Sequence, residues 1–143
     1  MNYYNEIKNK LIDNEVYKKV KDYSKNRNDL STYYEVGKLL IKAQGGEKRA
    51  KYGDNLIKEY SERLFNDTGR KYNITALKRI RQFYLVVEKG VPLAHQLTWS
   101  HYTEILSLSN INEINYSINI TEEYNLSVRE LRERLKTKNI KYY

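Results

Sequence analysis

Apolar residues recur every three or four positions along most of this chain, a period that predicts helices. The first run predicts a helix over residues 3–26, with an apolar face made of Ile7, Leu11, Val16, Val20 and Tyr23. Asn26-Arg-Asn-Asp29 is expected to interrupt the helical pattern. A second helix is predicted from about Leu30 to Gln44, and Gly45-Gly46 ends it. Its apolar stripe is formed by Tyr33, Val36, Leu39, Leu40 and Ala43.

The middle of the chain predicts two helices separated by a short turn. Asp54 is the expected N-cap of a helix over 55–66, whose inner face would hold Leu56, Ile57, Tyr60 and Leu64. Asp67-Thr-Gly69 forms the turn, and Asn73 caps a helix over 74–89. A short helix, a glycine-containing turn and a second helix are the layout of a helix-turn-helix unit, predicted here over 54–89.

Three further helices are predicted in the last third of the chain. Thr98 or Ser100 begins one that runs to about Leu108, and the next covers roughly 112–124. A capping box opens the last helix, since Ser127 is followed three residues later by Glu130. The core positions of that helix are expected to be Val128, Leu131 and Leu135. The whole pattern predicts an all-α, single compact domain over 1–143 with about six to seven helices, one pair of which forms the helix-turn-helix unit.

Charge is unevenly distributed along the chain, and its distribution indicates what kind of partner the protein could bind. The 143 residues include 26 Lys and Arg against 18 Asp and Glu, a net formal charge of +8. Residues 42–91 carry a net +6, whereas residues 92–126 contain no Lys or Arg and carry a net −4. The distribution indicates a cationic face that could meet a polyanion and a second, neutral to acidic, tyrosine-rich face. The alternative is that the basic charge serves only solubility.

Several function classes find no support in the sequence. The chain has no cysteine, so disulfides and thiolate metal sites are excluded. The two histidines, His95 and His101, are not spaced as a helical ligand pair and are expected to be helix-end or surface residues. Neither an apolar signal core nor a membrane-length apolar stretch is visible. We therefore expect a cytoplasmic, non-enzymatic protein with no cofactor, no metal and no membrane partner.

The second helix of the predicted unit, 74–89, offers the clearest candidate binding residues. On a helical wheel its apolar side is Leu77, Ile80, Tyr84 and Val87, with Ile74 at the edge. The opposite side holds Thr75, Lys78, Arg79 and Gln82. These residue types donate hydrogen bonds to phosphates and base edges, and Thr75 is the expected base reader. The alternative interpretation is an ordinary solvated helix face.

Other basic residues are candidates of a more general kind. Lys48, Arg49 and Lys51 lie in a glycine-flanked loop, and glycine lets a backbone approach phosphate closely. In the last helix Arg129, Arg132 and Lys136 share a face and could contact phosphates, although such faces are commonly only solvated. Arg81 borders the apolar face of its helix and is expected to be structural, paired to a carboxylate or a helix-end carbonyl.

Five ordered motifs carry a resemblance to a known family. They are Tyr34-Glu-Val-Gly-Lys-Leu-Leu-Ile41, Gly45-Gly-Glu-Lys-Arg-Ala-Lys-Tyr-Gly-Asp54, Leu77-Lys-Arg-Ile-Arg-Gln-Phe-Tyr84, Leu97-Thr-Trp-Ser-His-Tyr102 and Ser127-Val-Arg-Glu-Leu131. Over about 30–138 the chain resembles the N-terminal domain, of unknown function, of YhcG-type nucleases. The resemblance implies a helical fold with a nucleic-acid-binding or assembly role. In that family a nuclease domain follows, but no Asp…Glu-x-Lys set is found in this sequence, so nuclease chemistry is not expected here.

The sequence departs from the family at three positions. Ala76 stands where the family usually has a polar residue, Ile80 stands for Met, and Leu126 stands for a Trp. The Ala76 difference argues against sequence-specific reading of DNA by analogy with the family.

Two functions follow from these observations. The first is nucleic-acid binding, with DNA favoured over RNA, mainly through backbone phosphates. The alternative is a protein-interaction module, such as a dimerisation fragment or a small phage or mobile-element inhibitor of a host nuclease or ribonucleoprotein defence complex. A homodimer would suit a helix-turn-helix protein, but the sequence shows no dedicated apolar stripe for one.

Overall fold

The computed structural model describes residues 2–20, 25–47, 54–94 and 96–137. Within these ranges the chain forms helices and no strand, which confirms the predicted all-α class. The helices are α1 (Tyr3–Val20), α2 (Lys25–Ala43), α3 (Asp54–Thr68), α4 (Ile74–Glu88), α5 (Trp99–Ile105), α6 (Ile111–Glu123) and α7 (Val128–Lys136). In the part of the chain that is described, none of them is long and apolar enough to cross a bilayer.

The chain forms two compact units, Met1–Leu85 and Val86–Tyr143, which we call unit 1 and unit 2. The prediction of a single domain over 1–143 stays a prediction. Over the described residues the number of helices agrees with the six to seven expected, and most boundaries lie within a few residues of the predicted ones.

The core of unit 1 is built by the apolar faces that the sequence predicted for α1, α2 and α3. Its fully buried side chains include Ile7, Leu11, Leu30, Val36, Leu40, Ile57 and Leu64. Tyr4, which the periodicity missed, is also buried, and its hydroxyl donates to Asp67 Oδ2 over 2.6 Å. Val16 was predicted to face the core, but it is 56% exposed. Val20 and Tyr23, also predicted core positions, lie outside the residues whose side chains are described.

The expected interruption at Asn26–Asp29 is wrong, because α2 begins at Lys25 and runs through these residues. The physical reason is visible at Asp29, which is buried against α1. Asn14 of α1 is buried as well, and its Nδ2 donates to Asp29 Oδ1 over 2.9 Å. This tertiary hydrogen bond gives Asp29 a partner within a helix and overrides the local preference of Asn and Asp for turns.

The helices α2 and α4 approach each other closely at Gly37. A Cβ at this position would lie 2.5 Å from the carbonyl oxygen of Ile80 and 2.7 Å from Cβ of Tyr84. One turn before Gly37, the ring of Tyr34 lies 5.2 Å from that of Tyr84. Gly37 is therefore required by the packing of the two helices, since any side chain would push α4 away.

The core of unit 2 is organised around two buried polar side chains of α5. Tyr102 is fully buried, and its hydroxyl accepts a hydrogen bond from Ala94 N–H (2.8 Å) and donates to the carbonyl of Pro92 (3.1 Å). The buried apolar residues of this unit also include Val91, Leu97, Ile105, Leu106, Ile114, Ile118, Leu126 and Leu131. The segment before α5 is thereby held by a side chain of the helix that follows it.

His101 connects the start of α5 to the turn before α7. Its Nε2 donates to the carbonyl of Leu126 over 2.8 Å, and its Nδ1 accepts from Thr98 N–H over 2.9 Å. The Thr98 hydroxyl in turn accepts from His101 N–H, so Thr98 rather than Ser100 is the N-cap of α5. Ser127 forms the predicted capping box with Glu130 at the start of α7.

Candidate nucleic-acid interface

The connection between α3 and α4, residues 69–73, is held at both ends by side-chain hydrogen bonds. At its start the Thr68 hydroxyl donates to the carbonyl of Leu64 (2.6 Å) and accepts from Arg70 N–H (3.1 Å). At its end Ser61 Oγ donates to the carbonyl of Tyr72 over 2.7 Å. The path of the backbone into α4 is therefore fixed by residues of α3 itself.

Asn73 is the N-cap of α4, as predicted. Its Oδ1 accepts from Ala76 N–H over 2.7 Å, and its carbonyl accepts from Leu77 N–H over 3.0 Å. A side-chain oxygen in this place satisfies an amide that the first turn of a helix otherwise leaves without a partner. The two helices and their turn thus follow the predicted order.

The buried face of α4 differs from the predicted one. It consists of Leu77, Ile80, Phe83 and Val86, whereas Tyr84 and Val87 are only half-buried. Phe83 was assigned to neither face, although it is fully buried. Tyr84 lies beside α2 at Gly37, and Phe83 is the fully buried residue. Ile74, expected at the edge of the apolar face, is 38% exposed.

The four candidate residues of α4 differ in their exposure. Thr75 is exposed, whereas Lys78, Arg79 and Gln82 are half-buried. Arg79 is seven residues from Val86 and therefore lies on nearly the same side of the helix as that buried residue. Its Nη1 donates to Gln82 Oε1 over 2.9 Å, so the structure joins these two candidates directly.

Arg81 has a structural partner at the end of α2. Its Nη1 donates to Oε1 of Gln44 over 2.9 Å, immediately beyond the end of α2. This bond adds to the contact between α2 and α4 that Gly37 allows.

Two exposed cationic residues of the α3–α4 connection were missed by the sequence reasoning. Arg70 and Lys71 are both exposed and come directly before the residues that begin α4. The Arg70 guanidinium forms an ion pair with Glu15 of α1 over 3.1 Å, with half of its side chain still exposed. The sequence carries a signal for them, since two basic residues directly follow the predicted turn at 67–69.

The remaining candidates lie elsewhere. Lys48, Arg49 and Lys51 fall outside the residues that the structure describes. The glycines that precede them end α2 as predicted, with Gly45 and Gly46 at φ 91° and 106° and Gly46 N–H bonded to the carbonyl of Ile41.

Arg129 and Arg132 belong to α7 in unit 2 and are not buried. Arg132 is bound to Glu104 of α5, with both its Nε and its Nη2 lying 2.8 Å from Oε1 of that carboxylate. Its charge is therefore matched locally. Lys136 lies 3.9 Å from Glu133 on the same helix.

The excess positive charge lies entirely in unit 1. Residues 1–85 contain 19 basic and 11 acidic side chains, whereas residues 86–143 contain seven of each. The whole formal net charge of +8 therefore falls on one unit. Over the described residues there is no group of three or more His, Cys, Asp or Glu that could hold a metal ion. His95 falls outside these residues.

Comparison with known proteins gives the family. The DUF1016 N-terminal domain matches residues 7–141, nearly the whole chain. The chain belongs to this family. Residues of several motifs quoted above contact one another in the fold. Gly37 packs against Ile80 and Tyr84. His101 donates a hydrogen bond to the carbonyl of Leu126, the residue before the Ser127 motif. Much of the resemblance therefore reflects the fold.

The chain is also similar to part of a named protein. This relative is the Escherichia coli (strain K12) protein named "Putative nuclease YhcG", 41% identical over 56 residues. The match covers 38% of this chain and 15% of the YhcG protein. No solved structure was found to match this DUF1016 N-terminal domain.

Proposed function

We propose that this chain binds nucleic acid, DNA in preference to RNA, through unit 1. The observation that carries the proposal is the location of the entire net charge of +8 in residues 1–85. The name of the relative, a nuclease, supports a nucleic-acid ligand. Binding would rest mainly on phosphate contacts, because these dominate affinity where base reading is weak.

In this proposal α3 and α4 form a helix-turn-helix unit that presents the start of α4 to the duplex. Thr75 is exposed there and can donate to a phosphate or a base edge. Arg70 and Lys71 add two exposed cations just before the helix begins. Lys78 and Arg79 follow within the first half of the helix, and Gln82 is joined to Arg79.

The test is fluorescence anisotropy of labelled duplex DNA, single-stranded DNA and RNA over a salt series. We expect reversal of two charges, Lys78→Glu with Arg79→Glu, to weaken duplex binding roughly tenfold or more. The negative slope of log K against log salt should become less steep by about 1 for each phosphate that the protein no longer neutralises. A second pair, Arg70→Glu with Lys71→Glu, should act in the same direction.

A matched control distinguishes the effect of the α4 residues on binding from the effect of the total charge of unit 1. Lys10 of α1 and Lys58 of α3 are exposed and lie in the same unit, so Lys10→Glu with Lys58→Glu lowers its net charge equally. Binding that falls equally in the control and in the α4 pair would contradict a localised interface. Unchanged binding by a folded Lys78→Glu and Arg79→Glu protein would remove α4 from it.

A second candidate function is a protein-interaction module formed by unit 2. Its supporting observation is Tyr124, 58% exposed at the end of α6 in a segment that contains no Lys or Arg from 92 to 126. Exposed tyrosine is enriched at protein interfaces. If the anisotropy experiment shows only weak binding that does not distinguish polymers, a pull-down comparing the wild-type chain with Tyr124→Ser tests this candidate.

A further inference from the structure

Arg70 is one of the cations assigned to nucleic-acid contact, yet its guanidinium is bound within the chain. Its Nη2 lies 3.1 Å from Oε2 of Glu15, which reaches it from α1. The Arg70 side chain is 52% exposed and the Glu15 side chain 20%. The ion pair therefore lies at the surface, and more of its cation than of its carboxylate is exposed to solvent.

This ion pair lies where the proposed interface begins. Glu15 and Arg70 line a hollow together with Gly69, Lys71 and Tyr72, which belong to the connection that leads into α4. Among the described residues of this lining, Glu15 is the acidic one, and it accompanies the two exposed cations. A phosphate group that reaches the hollow therefore meets a carboxylate together with the cations.

We propose that Glu15 limits nucleic-acid binding by competing with phosphate groups for the Arg70 guanidinium. This inference rests on the proposed function of unit 1. Carboxylate and phosphate oxygens are the same class of acceptor for a guanidinium, and both form charge-assisted hydrogen bonds with it. Because Glu15 occupies Arg70, a phosphate gains the full interaction with this cation only when Arg70 leaves the carboxylate.

The exchange of one acceptor for the other needs no movement of the backbone. Arg70 N–H donates to the Thr68 hydroxyl over 3.1 Å, and that hydroxyl donates to the carbonyl of Leu64. The main chain at Arg70 is therefore held by α3, while its long side chain remains partly exposed. Surface ion pairs contribute little to stability, so a polyanion can replace the carboxylate at low cost.

The first test replaces the carboxylate with its amide, Glu15→Gln, and measures duplex DNA binding by anisotropy over a salt series. We expect binding to tighten roughly two- to fivefold, the range set by a surface ion pair. The negative slope of log K against log salt should become steeper by up to about 1, because Arg70 then neutralises a phosphate. The matched control is Asp13→Asn, which removes the same charge from an exposed residue on nearly the opposite side of α1. Its Kd should stay within about 1.5-fold of the wild-type value, because salt screens distant exposed charges.

A double-mutant cycle distinguishes competition for Arg70 from simple repulsion of DNA by the carboxylate. If Glu15 competes for Arg70, Arg70→Gln should weaken duplex binding about threefold more in the Glu15→Gln protein than in the wild-type chain. An equal loss in both proteins would show that Glu15 acts only by repulsion, and it would overturn the proposal. A gain in the Asp13→Asn protein as large as that in the Glu15→Gln protein would overturn it as well.

The ion pair itself is tested without any polymer. In NMR spectra of the isotope-labelled chain, the guanidinium signal of Arg70, assigned with Arg70→Lys, should shift in the Glu15→Gln protein and stay in place in the Asp13→Asn protein. A signal that Glu15→Gln leaves unchanged would overturn the proposal. Wild-type binding that Glu15→Gln does not strengthen would contradict this inference and leave the proposed function standing. Folded wild-type and Glu15→Gln proteins that both fail to bind duplex DNA, single-stranded DNA and RNA would contradict the proposed function together with the inference.

Discussion

The two units of this chain are stabilised in different ways. In unit 1 the helices α2 and α4 approach each other at a glycine, and the stabilising contacts are between helices distant in sequence. In unit 2 the side chains of Tyr102 and His101 bind main-chain groups of neighbouring loops. Unit 1 also holds the whole net charge. The comparison shows that the unit with the net positive charge is also the one whose helices α2 and α4 pack closely at Gly37.

The largest loss of stability is expected from adding a side chain at Gly37 in unit 1. We expect Gly37→Ala to destabilise the protein by about 3 kcal/mol, because the added methyl group meets the Ile80 carbonyl at 2.5 Å and α4 must shift. Urea denaturation followed by circular dichroism measures the loss. Hydrogen exchange then shows whether amides in 2–85 lose protection before those in 86–137.

Lys42→Ala is the control for this substitution, since Lys42 is exposed on the same helix. Its effect should stay within about 0.5 kcal/mol. Equal loss of amide protection in both units of the Gly37 variant would show that they unfold together.

In unit 2, the corresponding loss of stability is expected from removing the ring of His101. His101→Ala should cost about 2 kcal/mol, because the buried carbonyl of Leu126 and the amide of Thr98 are both left without this partner. Hydrogen exchange should report the loss in the segments around 98 and 126. Ser100→Ala, at the exposed neighbouring residue, should be close to neutral. A His101 variant as stable as the wild-type chain would contradict the structural role given to this ring.

The smallest expected effect is a dependence of stability on alkaline pH, which involves one tyrosine in each unit. Burial raises the pKa of Tyr102 to about 12, and burial together with the Asp67 carboxylate raises the pKa of Tyr4 to about 12. Each folded unit therefore keeps a phenol protonated that the unfolded chain ionises near pH 10. The stabilisation is fully present below pH 10 and is lost as the pH rises through about 12.

Substituting one tyrosine at a time separates the two units. Tyr102→Phe should cost about 1 kcal/mol at neutral pH, because its hydroxyl bonds are removed, and should flatten the loss of stability between pH 10 and 12. Tyr4→Phe should flatten the same window through unit 1. Urea titrations at several pH values measure both. An alkaline loss of stability that neither substitution changes would contradict the assignment to these groups.

Local signals in the sequence were sufficient for much of the fold. The caps at Asn73, Thr98 and Ser127 follow from single residues placed before an apolar run, and all three hold in the structure. The glycines after α2 likewise end it where expected. These features depend on interactions within a few residues, which is the range over which sequence patterns carry information.

Features that depend on residues far apart in the sequence could not be predicted. The helical start of α2 depends on Asn14 bonding to Asp29, fifteen residues away. Tyr84 of α4 packs beside Gly37, more than forty residues before it, and Phe83 rather than Tyr84 is the fully buried residue. For the candidate site, Arg79 and Gln82 are half-buried and joined by a hydrogen bond, whereas the helical wheel alone placed them on the side opposite the apolar face.

His101 holds the turn before α7 through a carbonyl oxygen of the backbone, an atom that every amino acid possesses. The anchor is therefore indifferent to the identity of residue 126. This chain has Leu126 where the resembling family usually has Trp, and Leu126 is still buried and still bonded. Because this hydrogen bond uses a main-chain atom, we expect it to persist when another apolar side chain replaces Leu126.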